Sequence, residues 1–231
     1  MRILLTRSKQ ENLLLMKVLS KRSFNCFALD LITFVDLEFY DDVLSLYSDI
    51  IITSKYAAIK LKPVDDYPYT TADSVWVVGS MSASILQRKG YKVKYIASNI
   101  DDLVNKLPSS SYQDMIYLSG EQYTRNLPES IRHLIFYKVE YLNILLDYQL
   151  QCLQQKFDYV MLYSKNTALF FVKLLYKYGL FECFIDTTFI VMSTNVKLFL
   201  CQYFDKILLC TNSDSMVECL EKYSKLHKPI I

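Results

Sequence analysis

Short apolar runs alternate with stretches of helical periodicity along almost the whole chain. Residues 3–6 fit a buried strand, and residues 10–20 follow with the apolar spacing of a helix. Residues 27–39 alternate over a long distance, with Phe27, Leu29, Leu31, Thr33, Val35, Leu37 and Phe39 on one face. That is long for one core strand and fits an extended segment leaving one lobe for another. Residues 50–53 form a strand and residues 54–61 open a helix. Residues 63–74 carry prolines and turn formers and predict a loop. A strand over 75–78 ends at Gly79, and a helix over 82–89 is closed by Gly90. After a strand over 93–97, Asn99 caps a helix that carries Asp101 and Asp102 in its first turn. Residues 115–118 predict a strand, followed by Ser119-Gly120 and a helix to about residue 132. Residues 134–143 alternate in the period of an extended strand.

The alternation then resumes. Helices are expected over 144–155, 166–178 (closed by Gly179) and 195–203. Strands are expected over 159–162, 189–192 and 207–210. Ser215-Met-Val-Glu218 has capping-box spacing and opens the last helix. Strand followed by helix throughout predicts an α/β protein with parallel sheets.

Three blocks recur. Ile51-Ile52-Thr53-Ser54-Lys55 matches Met161-Leu162-Tyr163-Ser164-Lys165, with Ser164 against Ser54. Val77-Val78 through Leu107 matches Ile190-Val191 through Leu220 without a gap. The third block is out of order, because Ile116-Tyr117-Leu118-Ser119-Gly120 matches Ile3-Leu4-Leu5-Thr6-Arg7 at the start of the chain. One continuous lobe inserted into another explains this order. The expected division is a discontinuous lobe of residues 1–26 and 145–231 and an inserted lobe of residues 40–134. Residues 27–39 and 134–144 serve as connecting strands.

Composition narrows the function classes. At 52% hydrophobic and 22% charged residues the chain can build a packed core. A net charge of +2 gives no electrostatic footprint for nucleic acid. No apolar run approaches the roughly 18 residues of a membrane span. The start enters a strand pattern directly and has no export signal, so a cytoplasmic protein is expected. The six cysteines contain no C-x-x-C pair and predict reduced core thiols. Two histidines and no ligand-spaced cluster predict no metal, and no glycine-rich dinucleotide fingerprint is present, so no cofactor is expected.

The motifs, in their order and spacing, resemble the uroporphyrinogen-III synthase family over almost the whole chain. They are Ile3-Leu-Leu-Thr-Arg7 with Gln10-Glu11; Ile51-Ile-Thr-Ser54; Val77-Val-Gly79-Ser-Met-Ser82-Ala83; Gly120-Glu121 with Leu127-Pro128; Tyr137-Lys138; and Asp158 to Ser164. The resemblance implies two flavodoxin-like lobes joined by a two-stranded connector. It also implies a cofactor-independent lyase of tetrapyrrole (haem) biosynthesis. Its small-molecule substrate would be hydroxymethylbilane, cyclised with inversion of ring D. A monomer is expected, with neither nucleic acid nor membrane as partner.

The same resemblance carries Tyr137 into the position of the family's tyrosine proposed to assist hydroxyl departure. Substrate carboxylates are expected at turns that lead from strand to helix, where backbone N–H groups point outward. Those turns contain Thr53, Ser54, Ser80, Ser82, Ser119, Gly120, Ser164, Lys165, Asn166 and Asn195. Arg7, with Lys55 beside the first turn, would add positive charge. Each hydroxyl has helix capping as its ordinary use. Ser82 replaces the family's usual threonine. In Met192-Ser193-Thr194-Asn195-Val196 the family's glycine is lost, and Asn195 stands where its second threonine would be. That divergence favours an alternative, a two-lobe protein that binds an anionic small ligand without chemistry.

Overall fold

The computed structural model describes residues 1–67, 72–123, 125–210 and 213–226. In chain order the elements begin with β1 (Arg2–Leu5), α1 (Lys9–Ser20), β2 (Asn25–Ala28) and β3 (Ile32–Asp36). They continue with β4 (Asp49–Ile52), α2 (Lys55–Lys60), β5 (Ser74–Val78), α3 (Ser80–Arg88), β6 (Lys92–Ala97) and α4 (Ile100–Lys106). Next come β7 (Met115–Gly120), β8 (Arg132–Tyr141), α5 (Asp147–Leu153), β9 (Tyr159–Leu162), α6 (Lys165–Lys177) and α7 (Phe181–Phe184). The last are β10 (Thr188–Val191), α8 (Thr194–Leu200), β11 (Ile207–Leu209) and α9 (Ser213–Leu226).

The chain divides into two compact units. Unit 1 holds Met1–Thr33 and Glu140–Ile231, and unit 2 holds Phe34–Val139. The unit 1 sheet runs β11-β10-β9-β1-β2, and all of its pairings are parallel. The second sheet runs β3-β8-β7-β4-β5-β6, with parallel pairing from β8 through β6. The unit boundaries fall within β3 and within β8. Leu37 N–H donates to Phe136 O, and Leu142 N–H donates to Leu31 O, so residue numbers rise on one strand as they fall on the other. The two strand orders coincide when β1 is set against β7 and β9 against β4.

Central strands explain themselves chemically. Ile50, Ile51 and Ile52 are all fully buried, as are Ile3, Leu5, Val160, Met161 and Leu162. A strand covered by helices on both faces needs apolar residues at successive positions, and each such side chain contributes about 1.5–3 kcal/mol on burial. Helix starts are set by short polar side chains. Ser54, Asn99, Ser164 and Ser193 accept from the backbone N–H groups of Ala57, Asp102, Thr167 and Val196.

Three local expectations are corrected. The long alternation over 27–39 breaks into β2, which pairs with β1, and β3, which pairs with β8. The break falls where Leu29 N–H bonds Leu5 O and Leu31 N–H bonds Leu29 O, so the backbone changes partner there. The helix expected after Gly120 is absent among the described residues of that stretch. Glu121 N–H is drawn to Tyr137 O and Ile131 N–H closes a turn on Pro128 O, so no helical ladder starts. The last helix begins at Ser213, which puts Ser215 inside it rather than at its cap. The expected loop over 63–74 contains a short 3-10 turn, Val64–Asp66, while residues 68–71 lie outside the described residues.

Candidate functional site

In each sheet the chain reverses its direction of growth once. In unit 2 it moves from β4 outward to β5 and β6, then returns to β7 and β8 on the other side. The reversal lies between β4 and β7, and the crevice outside the carboxyl ends of such a strand pair is where open α/β sheets bind ligands. The residues just beyond β4 are Thr53 and Ser54, and β7 ends in Ser119 and Gly120. Gly120 is in register with Tyr137 of β8. Tertiary pairing therefore gathers Thr53, Ser54, Ser119, Gly120 and Tyr137 on one sheet edge.

Tyr137 is 6% exposed, and its hydroxyl donates to Ser54 Oγ at 2.9 Å. Ser54 Oγ simultaneously accepts from Ala57 N–H at 3.0 Å, so the capping serine is also the phenol's acceptor. The Tyr137 ring meets Tyr56 edge-on at 4.8 Å and Phe34 at 5.8 Å between centroids. Its ring also lies directly on the Gly120 backbone, where a β-carbon would stand 2.7 Å from Cζ. Burial pushes the Tyr137 phenol above its ordinary value, with the Ser54 contact opposing. At neutral pH it is a protonated hydrogen-bond donor.

A second chain of polar contacts runs beside the first. Thr53 Oγ1 and Tyr117 Oη are 2.8 Å apart. The Tyr117 ring stacks on His133 at 4.8 Å, and Tyr123 meets His133 edge-on. Ser119 Oγ donates to Gly120 O at 2.8 Å, which leaves His133 Nε2–H to donate to Ser119 Oγ at 2.6 Å. Burial lowers the His133 pKa and favours the neutral ring. These bonds pin the register shift between Ser119 and Gly120. The expectation that Ser119 and Gly120 open a helix N-terminus is corrected: both are buried at a strand end, and the serine hydroxyl is spent on a carbonyl.

The α3 turn is the open one. Its N-cap is Gly79, at φ +86°, which offers no side-chain cap and has open space where a β-carbon would be. The first N–H groups of α3 are thus left for another acceptor. Ser80 is exposed, whereas Ser82 is buried and makes no side-chain hydrogen bond to the described protein. Lys55, the first residue of α2, is exposed.

Unit 1 has its own reversal, between β1 and β9. Thr6 Oγ1 donates to Met161 O at 2.5 Å there. Arg7 is ion-paired with Glu11 and lies 4.5 Å above the Tyr163 ring. Ser164 caps α6, and Lys165 and Asn166 are the exposed first residues of that helix. Asn195 does not cap α8, because Ser193 does; Asn195 is exposed in the first turn. Sequence reasoning missed Tyr56, Lys60, Tyr117 and His133 as neighbours of the site. The alternation of Tyr117 and Ser119 on one face of β7 was the available signal.

No family model matches the chain. A stretch of 146 residues is 40% identical to an uncharacterized protein of Rickettsia prowazekii (strain Madrid E). It covers 61% of this chain, and the chain spans about half of that relative, 50% of its length. Among solved structures, the uroporphyrinogen-III synthetase of Helicobacter pylori 26695 matches with a TM-score of 0.64 at 17% identity, over 96% of this chain and 100% of that one. A mutant uroporphyrinogen III synthase from the extreme thermophile Thermus thermophilus matches with a TM-score of 0.57 at 12% identity, over 97% of each chain. The chain has the uroporphyrinogen III synthase fold. Within that fold Tyr137 stands on β8, at the carboxyl edge of the unit 2 sheet. Among the described residues the fold has no helix long and apolar enough to cross a membrane, and no group of metal-binding side chains.

Proposed function

We propose that the protein is a uroporphyrinogen-III synthase, cyclising hydroxymethylbilane with inversion of ring D. The observation that carries the reading is the buried Tyr137 phenol, aimed at Ser54 beside the strand reversal in a chain of this fold. The reaction begins with loss of a terminal hydroxyl as water. Tyr137 donates a hydrogen bond to that oxygen as the C–O bond breaks, and Ser54 holds the phenol O–H in direction until substrate arrives. The raised phenol pKa suits a donor that stays protonated, so the proton that completes the departing water is taken from the medium and is returned by the pyrrole N–H as the azafulvene forms.

The resulting azafulvene is attacked by ring D, giving a spiro intermediate that fragments and recombines with the ring turned over. Tyr56 and Phe34 screen this edge from water, which would otherwise capture the cation. The free N–H groups of α3, with Ser80, Ser82 and Thr53, are the proposed carboxylate contacts of unit 2. Ser119 and Gly120 shape the edge. Arg7, Ser164, Lys165, Asn166 and Asn195 are the proposed contacts from unit 1. On this reading the enzyme is a cytoplasmic lyase of haem biosynthesis, active as a monomer without cofactor.

Incubation with freshly made hydroxymethylbilane tests it. Type III product is expected, and type I product alone, the spontaneous outcome, would reject it. The second reading, an anion-binding protein without chemistry, is favoured by the divergent turn Met192-Ser193-Thr194-Asn195-Val196, where Ser193 and not Asn195 caps α8. It predicts binding of the bilane without acceleration.

A further inference from the structure

Lys60 is a largely covered cation with no part in the chemistry above. Its side chain is 11% exposed, and its ammonium donates to Leu37 O at 2.8 Å and to Phe136 O. It also lies 3.5 Å from Asp36 Oδ1 and 4.2 Å from the centre of the Phe136 ring. Leu37 and Phe136 belong to the paired segments, and Phe136 immediately precedes Tyr137. Desolvation lowers the Lys60 pKa and Asp36 opposes that effect. Two carbonyls and a carboxylate around one nitrogen fit the ammonium form, which supplies three donors.

The placement of Lys60 in α2 gives this cation its consequence. α2 runs only from Lys55 to Lys60, and the residue capping its start is Ser54, the acceptor of the Tyr137 hydroxyl. Tyr56, in the same helix, packs its ring on Tyr137 and donates its hydroxyl to Asp36 at 2.9 Å. One short helix therefore grips β8 at both ends, by Ser54 at the phenol oxygen and by Lys60 at the carbonyl one residue upstream. We propose that Lys60 is a positioning residue that holds the Tyr137 phenol in line by clamping the Phe136 carbonyl from the far end of α2. This deepens, and rests on, the assignment of Tyr137 to hydroxyl departure.

The alternative is that Lys60 only strengthens the end of α2. Lys89 provides the comparison, because its ammonium donates to the carbonyls of Ala58, Ile59 and Leu61 at that same helix end. None of these three bonds goes to β8. The experiment compares wild type, Lys60→Met, Lys60→Gln and Lys89→Met, each labelled with tyrosine carrying 13C at Cζ. The Tyr137 resonance is assigned by its absence in Tyr137→Phe.

In Lys60→Met the resonance is expected to move, with a smaller movement in Lys60→Gln, whose amide retains a donor. Turnover of hydroxymethylbilane by Lys60→Met should fall about 10-fold with KM changed less than about 2-fold, as for loss of orientation alone. Lys89→Met should lower the melting temperature and leave the resonance in place. An unmoved resonance in both Lys60 variants overturns the proposal, as does an equal movement in Lys89→Met. If Lys60→Met does not fold, Lys60→Gln decides. Should the wild-type protein fail to turn over the bilane, the synthase reading fails, while the resonance comparison still decides whether Lys60 positions Tyr137.

Discussion

The Tyr137 ring occupies the space that a side chain at residue 120 would need. A β-carbon on Gly120 would stand 2.7 Å from Tyr137 Cζ and 3.0 Å from its hydroxyl oxygen. Phe34 and Tyr56 flank the ring, so it has little room to retreat. Gly120→Ala is expected to destabilise unit 2 by about 1–3 kcal/mol, the usual cost of overpacking. Trp76, the chain's one tryptophan, lies in unit 2 and reports the transition in urea. An unchanged midpoint would mean that the ring moves freely.

Tyr137→Phe keeps the packing and removes one hydrogen bond, that to Ser54 Oγ. Stability should drop by only about 1 kcal/mol. Turnover of hydroxymethylbilane should fall by roughly 10 to 1,000-fold, as when a single polar stabiliser of a transition state is lost. The product should remain type III, because ring inversion depends on how the substrate is held. Wild-type turnover in this variant would assign the tyrosine to packing alone.

Asn12 is fully buried and closes the turn after β1 from both sides. It accepts from Arg7 N–H at 2.9 Å and donates to Arg7 O at 3.0 Å and Asp30 Oδ1 at 2.8 Å. Asn12→Leu keeps the branching at Cγ, with a somewhat larger side chain, and satisfies none of these groups. A loss of about 1–3 kcal/mol is expected from the polar groups left buried. Thermal melting followed by circular dichroism reads it, and a melting temperature equal to wild type would contradict the assignment.

His133 sets an acid limit on unit 2. Its folded pKa lies below the ordinary 6.5 because burial disfavours the imidazolium. Below pH 6.5 the unfolded chain takes up a proton that the folded chain still refuses, so the unfolded state gains. Stability should therefore be fully present above that pH and decline as pH falls toward the folded pKa. His133→Gln retains a donor for Ser119 and has no such titration. Urea midpoints of the two proteins, compared between pH 7.5 and 5, should converge as the pH falls (about 2.5 units spans the window). Parallel curves would remove His133 from the account.

Local chemistry was legible in the sequence wherever neighbours along the chain decide the outcome. The buried runs at Ile50 to Ile52 and Tyr159 to Leu162 declared central strands, because only apolar residues survive between two covered faces. Asn99 and Ser164 declared helix starts, since a short side-chain oxygen reaches its own helix's N–H groups. The out-of-order repeat between Ile3-Leu-Leu-Thr-Arg7 and Ile116 to Gly120 pointed to the correspondence of β1 with β7 in two sheets of the same strand order. Tertiary pairing decided the rest. Period-two alternation over 27–39 is long enough to say that an extended segment leaves one lobe for another and does not say at which residue, so the break between β2 and β3 was invisible. The helix expected after Gly120 lost to a backbone bond from Glu121 to Tyr137 O, formed with a residue 16 positions later. Tyr137 and Ser54 are 83 residues apart, and Lys60 and Phe136 are 76. A phenol meets its acceptor, and a lysine its carbonyls, only after β8, β7 and β4 lie side by side and bring their carboxyl ends to one edge.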